Sequence, residues 1–108
     1  AMAERDAREA IALDAALPPE MRTTKEARSY LADARFALGA ALFEAAKSAG
    51  PARRAALLRE ARPHLAASVD FIAAARRENL GAMPATEVKE REDALEACDE
   101  AIRRLSPA

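Results

Sequence analysis

Apolar residues recur every three or four positions along almost the whole chain, and this helical period constrains the fold more than any other feature. Proline and glycine interrupt the pattern at four places, Pro18–Pro19, Gly50–Pro51, Gly81–Pro84 and Ser106–Pro107. No segment alternates β-branched and polar residues, the pattern typical of strands. The sequence therefore predicts an all-α fold with four helices, at about 3–17, 24–48, 52–79 and 85–105.

Each predicted helix carries an apolar stripe that would face a shared core. In the first helix the stripe is Ala7, Ala10, Ile11 and Leu17, and Asp14 interrupts it. The stripe of the second helix is Ala27, Leu31, Ala34, Leu38, Leu42 and Ala45. In the third it is Leu58, Ala61, Leu65, Ser68 or Val69, and Ile72. The fourth helix has Val88, Leu95, Cys98, Ile102 and Leu105.

Pro63 lies inside the third predicted helix. Proline removes a backbone donor and crowds the carbonyl of Arg59, which should bend or break the helix. The apolar stripe keeps its phase from Leu58 to Ile72. We therefore predict one continuous helix that is kinked near Pro63.

One domain accounts for the whole length, because 108 residues are enough for a single hydrophobic core and too few for two. The 31 alanines leave that core few large side chains. The charged residues Glu4, Arg5 and Asp6 are unlike a signal peptide, and no stretch reaches the roughly 18 to 20 apolar residues of a membrane span. Ala1 and Met2 are interpreted as a cloning remnant ahead of the native start. With one cysteine, no internal disulfide is possible, and we expect a soluble cytoplasmic protein with no membrane partner.

Gly39 lies in the middle of the second predicted helix, where glycine costs about 1 kcal/mol relative to alanine. Leu38 and Leu42 place this glycine on the packed face, so we expect a close helix-to-helix contact to offset the cost. The pattern resembles the first helix of a tetratricopeptide repeat, in which a Leu-Gly pair followed by a large residue marks such a contact. The resemblance implies a module of repeat-like helical hairpins.

Three further stretches are similar to the second helix of such a repeat. They are Ala10-Ile11-Ala12-Leu13-Asp14, Ala61-x-x-x-Leu65-x-x-Ser68 and Ala94-Leu95-x-x-Cys98-x-x-Ala101-Ile102. The 22 residues from Gly39 to Ala61 exceed the spacing of the family. An unrelated antiparallel four-helix bundle is therefore the alternative architecture.

The second predicted helix also carries an aromatic face. Phe36 and Phe43 are seven residues apart, so in a straight helix one ring lies above the other. The same face has Asp33, Ala40 and Glu44, with Tyr30 at its upper edge. The resemblance implies that these positions form the concave surface that holds an extended peptide or a partner helix. Alternatively, the first or fourth helix covers both rings and makes them part of the core.

Few residues in the sequence could support chemistry. His64 has only Glu60 and Ser68 one turn away, too few ligands for zinc, and we expect it on a solvent-exposed polar face. Cys98 is expected to be a small hydrophobe in the core. No Gly-rich phosphate loop, Ser-His-Asp set or pair of buried carboxylates can be proposed, so we expect no catalysis, no cofactor and no metal.

Charge is divided unevenly between the last two helices. Residues 51–79 carry six arginines against three acids, whereas residues 84–108 carry seven acids against four bases. The opposite charges predict antiparallel neighbours, although each exposed pair contributes only about 0–1 kcal/mol. We expect the carboxylates of the fourth helix to form a solvated face. The one basic cluster of the chain is Arg53, Arg54, Arg59 and Arg62.

The hypothesis favoured by these patterns is a non-enzymatic module that binds a peptide or helix of a partner protein through the aromatic face. A homodimer is the alternative, because a thin alanine-rich core leaves a small domain marginal and a second copy could supply the missing burial. Binding of nucleic acid by the basic cluster is less favoured, because the aromatic residues lie elsewhere.

Overall fold

A computed structural model describes residues 3–105, which form four long helices and one short helix. The helices are α1 (Glu4–Ala16), α2 (Pro19–Arg22), α3 (Lys25–Lys47), α4 (Pro51–Arg77) and α5 (Ala85–Arg103). The predicted all-α fold is confirmed, and every end of a long helix falls within two residues of its predicted position. The interpretation of Ala1 and Met2 and the helix-ending role of Ser106–Pro107 concern residues outside this range.

The short helix α2 was not predicted. Pro19 occupies its first turn, where a proline loses no hydrogen bond because the backbone donors there have no partner within the helix. Thr24 then begins α3, and its hydroxyl accepts a hydrogen bond from the backbone N–H of Ala27 at 3.2 Å. Pro18–Pro19 therefore separates α1 from a single helical turn rather than from α3 directly.

The long helices pack as successive neighbours. α3 shares its largest interface with α4, α1 packs on α3, and α5 packs on α4, whereas α3 and α5 touch only slightly. The nine residues at the centre of the core are fully or almost fully buried: Ala7, Leu38, Leu42, Ala46, Leu57, Leu58, Ala61, Leu65 and Cys98. Leucines dominate this centre, but seven of the fourteen buried apolar residues within residues 3–105 are alanines, so the core has few large side chains as composition predicts. One stripe residue was predicted wrongly: Ala45 is exposed, and Ala46 is buried instead. Ala46 lies four residues after Leu42, so both side chains are on the same face of the helix.

Gly39 contacts α4 directly. A Cβ atom added to Gly39 would lie 2.7 Å from Leu65 Cγ and 3.2 Å from the carbonyl oxygen of Ala61. Leu65 is completely buried, so a shift of its side chain would disturb the neighbouring core residues. Leu38, Gly39 and Leu42, the three residues expected at this contact, are all buried.

α4 continues through Pro63 without a break. Ala61 before the proline and Leu65 after it face the same core, which explains why the apolar stripe keeps its phase. The prediction of one continuous helix is confirmed, and the kink stays a prediction.

α4 ends earlier than the predicted break at Gly81–Pro84. α4 ends at Arg77, and Asn79 takes the left-handed conformation with φ of 56°. The backbone N–H of Leu80 donates to the carbonyl oxygen of Ala75 at 2.9 Å, which closes the helix end in the usual way for a left-handed residue. Arg28 of α3 then holds this end through two hydrogen bonds to Glu78, at 2.7 and 2.9 Å.

The contact at Gly39 predicts an unusual mutational effect. Gly39→Ala should lower the free energy of unfolding by about 1–3 kcal/mol, because the added methyl group overpacks the interface. Helix propensity alone would raise it by about 1 kcal/mol. Urea unfolding followed by circular dichroism measures the difference.

Leu65→Ala provides the matched background, because it removes the two leucine atoms nearest the new methyl group and leaves the carbonyl oxygen of Ala61 at 3.2 Å. In that background, Gly39→Ala should lower the free energy of unfolding much less or not at all. Both backgrounds are measured in a stabilising osmolyte, since Leu65→Ala alone costs about 2–5 kcal/mol. An equal loss in both backgrounds would contradict the proposed clash.

Candidate partner-binding site

A groove lies between α3 and the first turns of α5, because these two helices pack on α4 while touching each other only slightly. It has two adjoining sections that share Asp33 and Glu87. The aromatic section has a volume of about 600 Å³ and is lined by Asp33, Phe36, Ala37, Ala40, Glu87, Glu90 and Arg91. The loop section lies against α4 and residues 80–84, and its walls include Lys25, Ser29, Phe71, Ile72, Ala75, Arg76 and Val88.

Arg91 is the buried charge of the groove. Only 7% of its side chain is exposed, and its guanidinium donates a hydrogen bond to a carboxylate oxygen of Asp33. The guanidinium carbon lies 5.4 Å from the centre of the Phe36 ring, over its face. Nη1 lies 3.5 Å from the carbonyl oxygen of Ser68 on α4. Arg91 therefore connects α5 to both other helices of the groove.

The burial of Arg91 requires these partners. An arginine side chain stays charged in proteins, so its removal from water must be compensated by acceptors. Asp33 supplies the negative charge while its own side chain remains 54% exposed at the groove. The charges of Asp33 and Arg91 therefore cancel where both residues line the aromatic section, and the groove stays open beside them.

Sequence reasoning missed Arg91, although a signal was present. Arg91 lies in phase with Val88, Leu95 and Cys98, so the apolar stripe of α5 brings it to the core side of the helix. A charged residue at a stripe position needs an oppositely charged partner on the facing helix. Glu87 and Glu90 were expected only on the solvated face of this helix, and Ala37 was not singled out, because only the packing of α5 beside α3 places these residues in one groove.

The predicted binding face divides into two parts. Asp33, Phe36 and Ala40 line the groove, whereas Tyr30, which is 54% exposed, does not line it. Phe43 and Glu44 also lie beyond the groove. Lys47 covers that region, with its Nζ 5.4 Å from the centre of the Phe43 ring and 3.0 Å from a Glu44 carboxylate oxygen.

The rings of Phe36 and Phe43 are intermediate in their exposure to solvent. They are half-buried and pack against the core cluster, so neither a fully exposed face nor a fully covered one describes them. In the aromatic section, the residues of α5 that face α3 lie between positions 87 and 91. The α3 wall opposite them ends at Ala40, so Phe43 lies outside the groove.

His64 is not on a solvent-exposed polar face, and that expectation was wrong. The side chain is half-buried, and its Nδ1 lies 3.2 Å from Nη1 of Arg35. Because arginine can only donate, Nδ1 accepts and the ring is neutral, with its proton on Nε2. Burial and the positive charge of Arg35 lower the pKa of His64 below its ordinary value of 6.5.

Cys98 is buried as expected, and its Sγ donates to the carbonyl oxygen of Leu58 at 3.6 Å. Burial raises the pKa of this thiol above its ordinary value, which disfavours the reactive thiolate. Cys98 and His64 thus have separate partners and do not form a nucleophile–base pair. Within residues 3–105, no group of three or more His, Cys, Asp or Glu side chains is placed to hold a metal ion.

Half of the basic cluster has partners within the fold. Arg54 donates to the carbonyl oxygens of Ala46 and Ala49 at the end of α3, at 3.1 and 3.0 Å. Arg62 donates to Asp99 of α5 at 2.6 Å, an ion pair between the helices that carry opposite net charge. Arg53 and Arg59 are exposed.

None of the helices within residues 3–105 is both long and apolar enough to cross a membrane. Comparison with protein-family models, with curated proteins and with solved structures gave no match for this chain.

The Asp33–Arg91 pair gives a prediction about stability. Asp33→Ala should lower the free energy of unfolding by about 1–3 kcal/mol, because it leaves the buried guanidinium without its anionic partner. The double variant Asp33→Ala/Arg91→Met should recover most of that loss, since methionine fills the space without a charge. Asp70→Ala, at an exposed position of α4, is the matched control and should change stability little. A double variant as unstable as Asp33→Ala would contradict this explanation.

The lowered pKa of His64 predicts a dependence of stability on pH. As the pH falls below about 6.5, the unfolded chain takes up a proton at this histidine before the folded chain does, so the free energy of unfolding decreases. The contribution of the neutral His64 to the free energy of unfolding is fully present above that pH. It is lost as the pH falls towards the lower pKa of the folded state. Urea unfolding between about pH 7.5 and 5.5 measures it. His64→Asn keeps an acceptor for Arg35 and should give a flatter profile over this window; identical profiles would refute the assignment.

Proposed function

We propose that this chain is a non-enzymatic protein-interaction module that binds a segment of a partner protein in the α3/α5 groove. The observation that carries the proposal is the half-buried Phe36 ring, which lines a groove between two helices that leave space between them. An aromatic ring in a partly desolvated pocket is the type of residue that dominates binding at protein interfaces. Burying one more large apolar side chain against it would contribute about 1.5–3 kcal/mol.

The length of the groove supports a peptide or a helix as its occupant. The lining residues of α3 extend from Lys25 to Ala40, and at 1.5 Å per residue this wall is about 22 Å long. About six or seven residues of extended chain, or about four turns of helix, match that length. A small metabolite would leave most of the groove empty.

The resemblance to tetratricopeptide repeats is part of the proposal. The close contact of α3 with α4 at Gly39 supports it, because that contact is what the Leu-Gly pair marks in such repeats. The helices of 23 and 27 residues are longer than the repeat pattern. We therefore propose a repeat-like hairpin that has been extended, with α5 as the second wall of the groove.

Two further features agree with this function. The separate hydrogen-bond partners of His64 and Cys98 support a non-enzymatic role. A single buried cysteine also suits the reducing cytoplasm, which we propose as the location.

A matched pair of variants tests the proposal. Ala40→Arg places a long side chain in the groove, whereas Ala45→Arg makes the same change on the exposed side of the same helix. A displayed library of random peptides is selected on the wild-type chain, and the affinity of the enriched peptides is measured by fluorescence anisotropy. We expect Ala40→Arg to weaken binding by roughly a hundredfold, the loss of a binding hot spot, and Ala45→Arg to leave it unchanged.

Equal binding to both variants would refute the groove as the site. Sedimentation velocity over a concentration series tests the homodimer alternative with the same proteins. A wild-type dimer that Ala40→Arg converts to monomer would replace the partner segment with a second copy of this chain.

A further inference from the structure

Within residues 3–105, two carboxylates on the α5 wall of the groove have no ion-pair partner. Glu87 and Glu90 line the aromatic section and are exposed, and neither forms an ion pair with another residue in the range 3–105. The only positive charge of that section, Arg91, is already paired with Asp33. The aromatic section therefore combines an apolar surface with an excess of negative charge.

The loop section does not share this excess of negative charge, because two bases lie beside the shared Asp33 and Glu87. Lys25 and Arg76 are both exposed in the walls of the loop section, beside the chain that connects α4 to α5. The antiparallel course of α3 and α4 places these two bases together, because one begins its helix and the other lies at the end of its own. Along its length, the groove thus changes from balanced charge at the loop section to an excess of negative charge at the aromatic section.

Resting on the proposed function, we infer that the partner is a cationic amphipathic protein segment. Its apolar side chain packs on Phe36 and Ala40, and a lysine or arginine beside it contacts Glu87 and Glu90. The apolar contact supplies affinity, while the two carboxylates select the partner and reject an acidic segment through like-charge repulsion. The bases at the loop section fix the direction, with the positive end of the segment at the aromatic section.

The same charges disfavour nucleic acid in this groove. Phosphates bind where lysine and arginine neutralise them, whereas Glu87 and Glu90 lie beside Phe36, the ring on which a base would stack in the aromatic section. A protein segment is the occupant that fits both the apolar surface and its charge.

Charge reversal tests this inference. Two displayed peptide libraries are prepared that are identical except that lysine is the only charged residue in one and glutamate in the other. On the wild-type chain we expect enrichment from the lysine library alone, with a large apolar residue next to lysine. Glu87→Lys/Glu90→Lys should weaken these peptides roughly tenfold in fluorescence anisotropy, because attraction becomes repulsion.

Glu92→Lys/Glu96→Lys is the matched control, because it changes the net charge equally at exposed positions of α5 outside the aromatic section. It should have little effect on affinity. Equal enrichment from both libraries, or equal weakening by both charge reversals, would overturn the inference. The Ala40→Arg variant distinguishes failure of this inference from failure of the proposed function. If Ala40→Arg still blocks binding, the groove is the site and only the proposed charge selectivity is wrong. If Ala40→Arg has no effect on binding, the proposed function itself is refuted.

Discussion

The close approach of α3 to α4 at Gly39 organises the packing of the other helices. Leu65 and the carbonyl of Ala61 occupy the space that a side chain at position 39 would fill. Because this core consists largely of alanine and leucine, close backbone packing replaces the burial that larger side chains would provide. The α3–α4 hairpin formed in this way is the base on which α1 and α5 pack, one on each partner.

The attachment of α5 explains why a groove exists at all. α5 packs on α4 through Cys98 and the Arg62–Asp99 ion pair, but it reaches α3 chiefly through the side chain of Arg91. The side chain of Arg91 spans the gap between the two walls and pairs with Asp33. Phe36 stays half-buried beside this ion pair.

The spacing of apolar residues and the positions of proline and glycine predicted the long helices well, because both are local properties of the sequence. The stripe through Leu58, Leu65 and Ile72 is buried as predicted, and the Gly50–Pro51 pair separates α3 from α4. Three features that depend on neighbours were not predicted. They are the partner of His64, the burial of Arg91 and the part of the aromatic face that lines the groove.

The all-α class, the bounds of the four long helices and the need for a close contact at position 39 follow from the sequence alone, since side-chain spacing and backbone chemistry act within a few residues. Which charges face one another depends on how the helices pack. Arg91 and Asp33 are 58 positions apart in the chain, and nothing local to either residue fixes their meeting. The position of α5 beside α3 brings them together, and with them the acidic and aromatic surfaces of the groove.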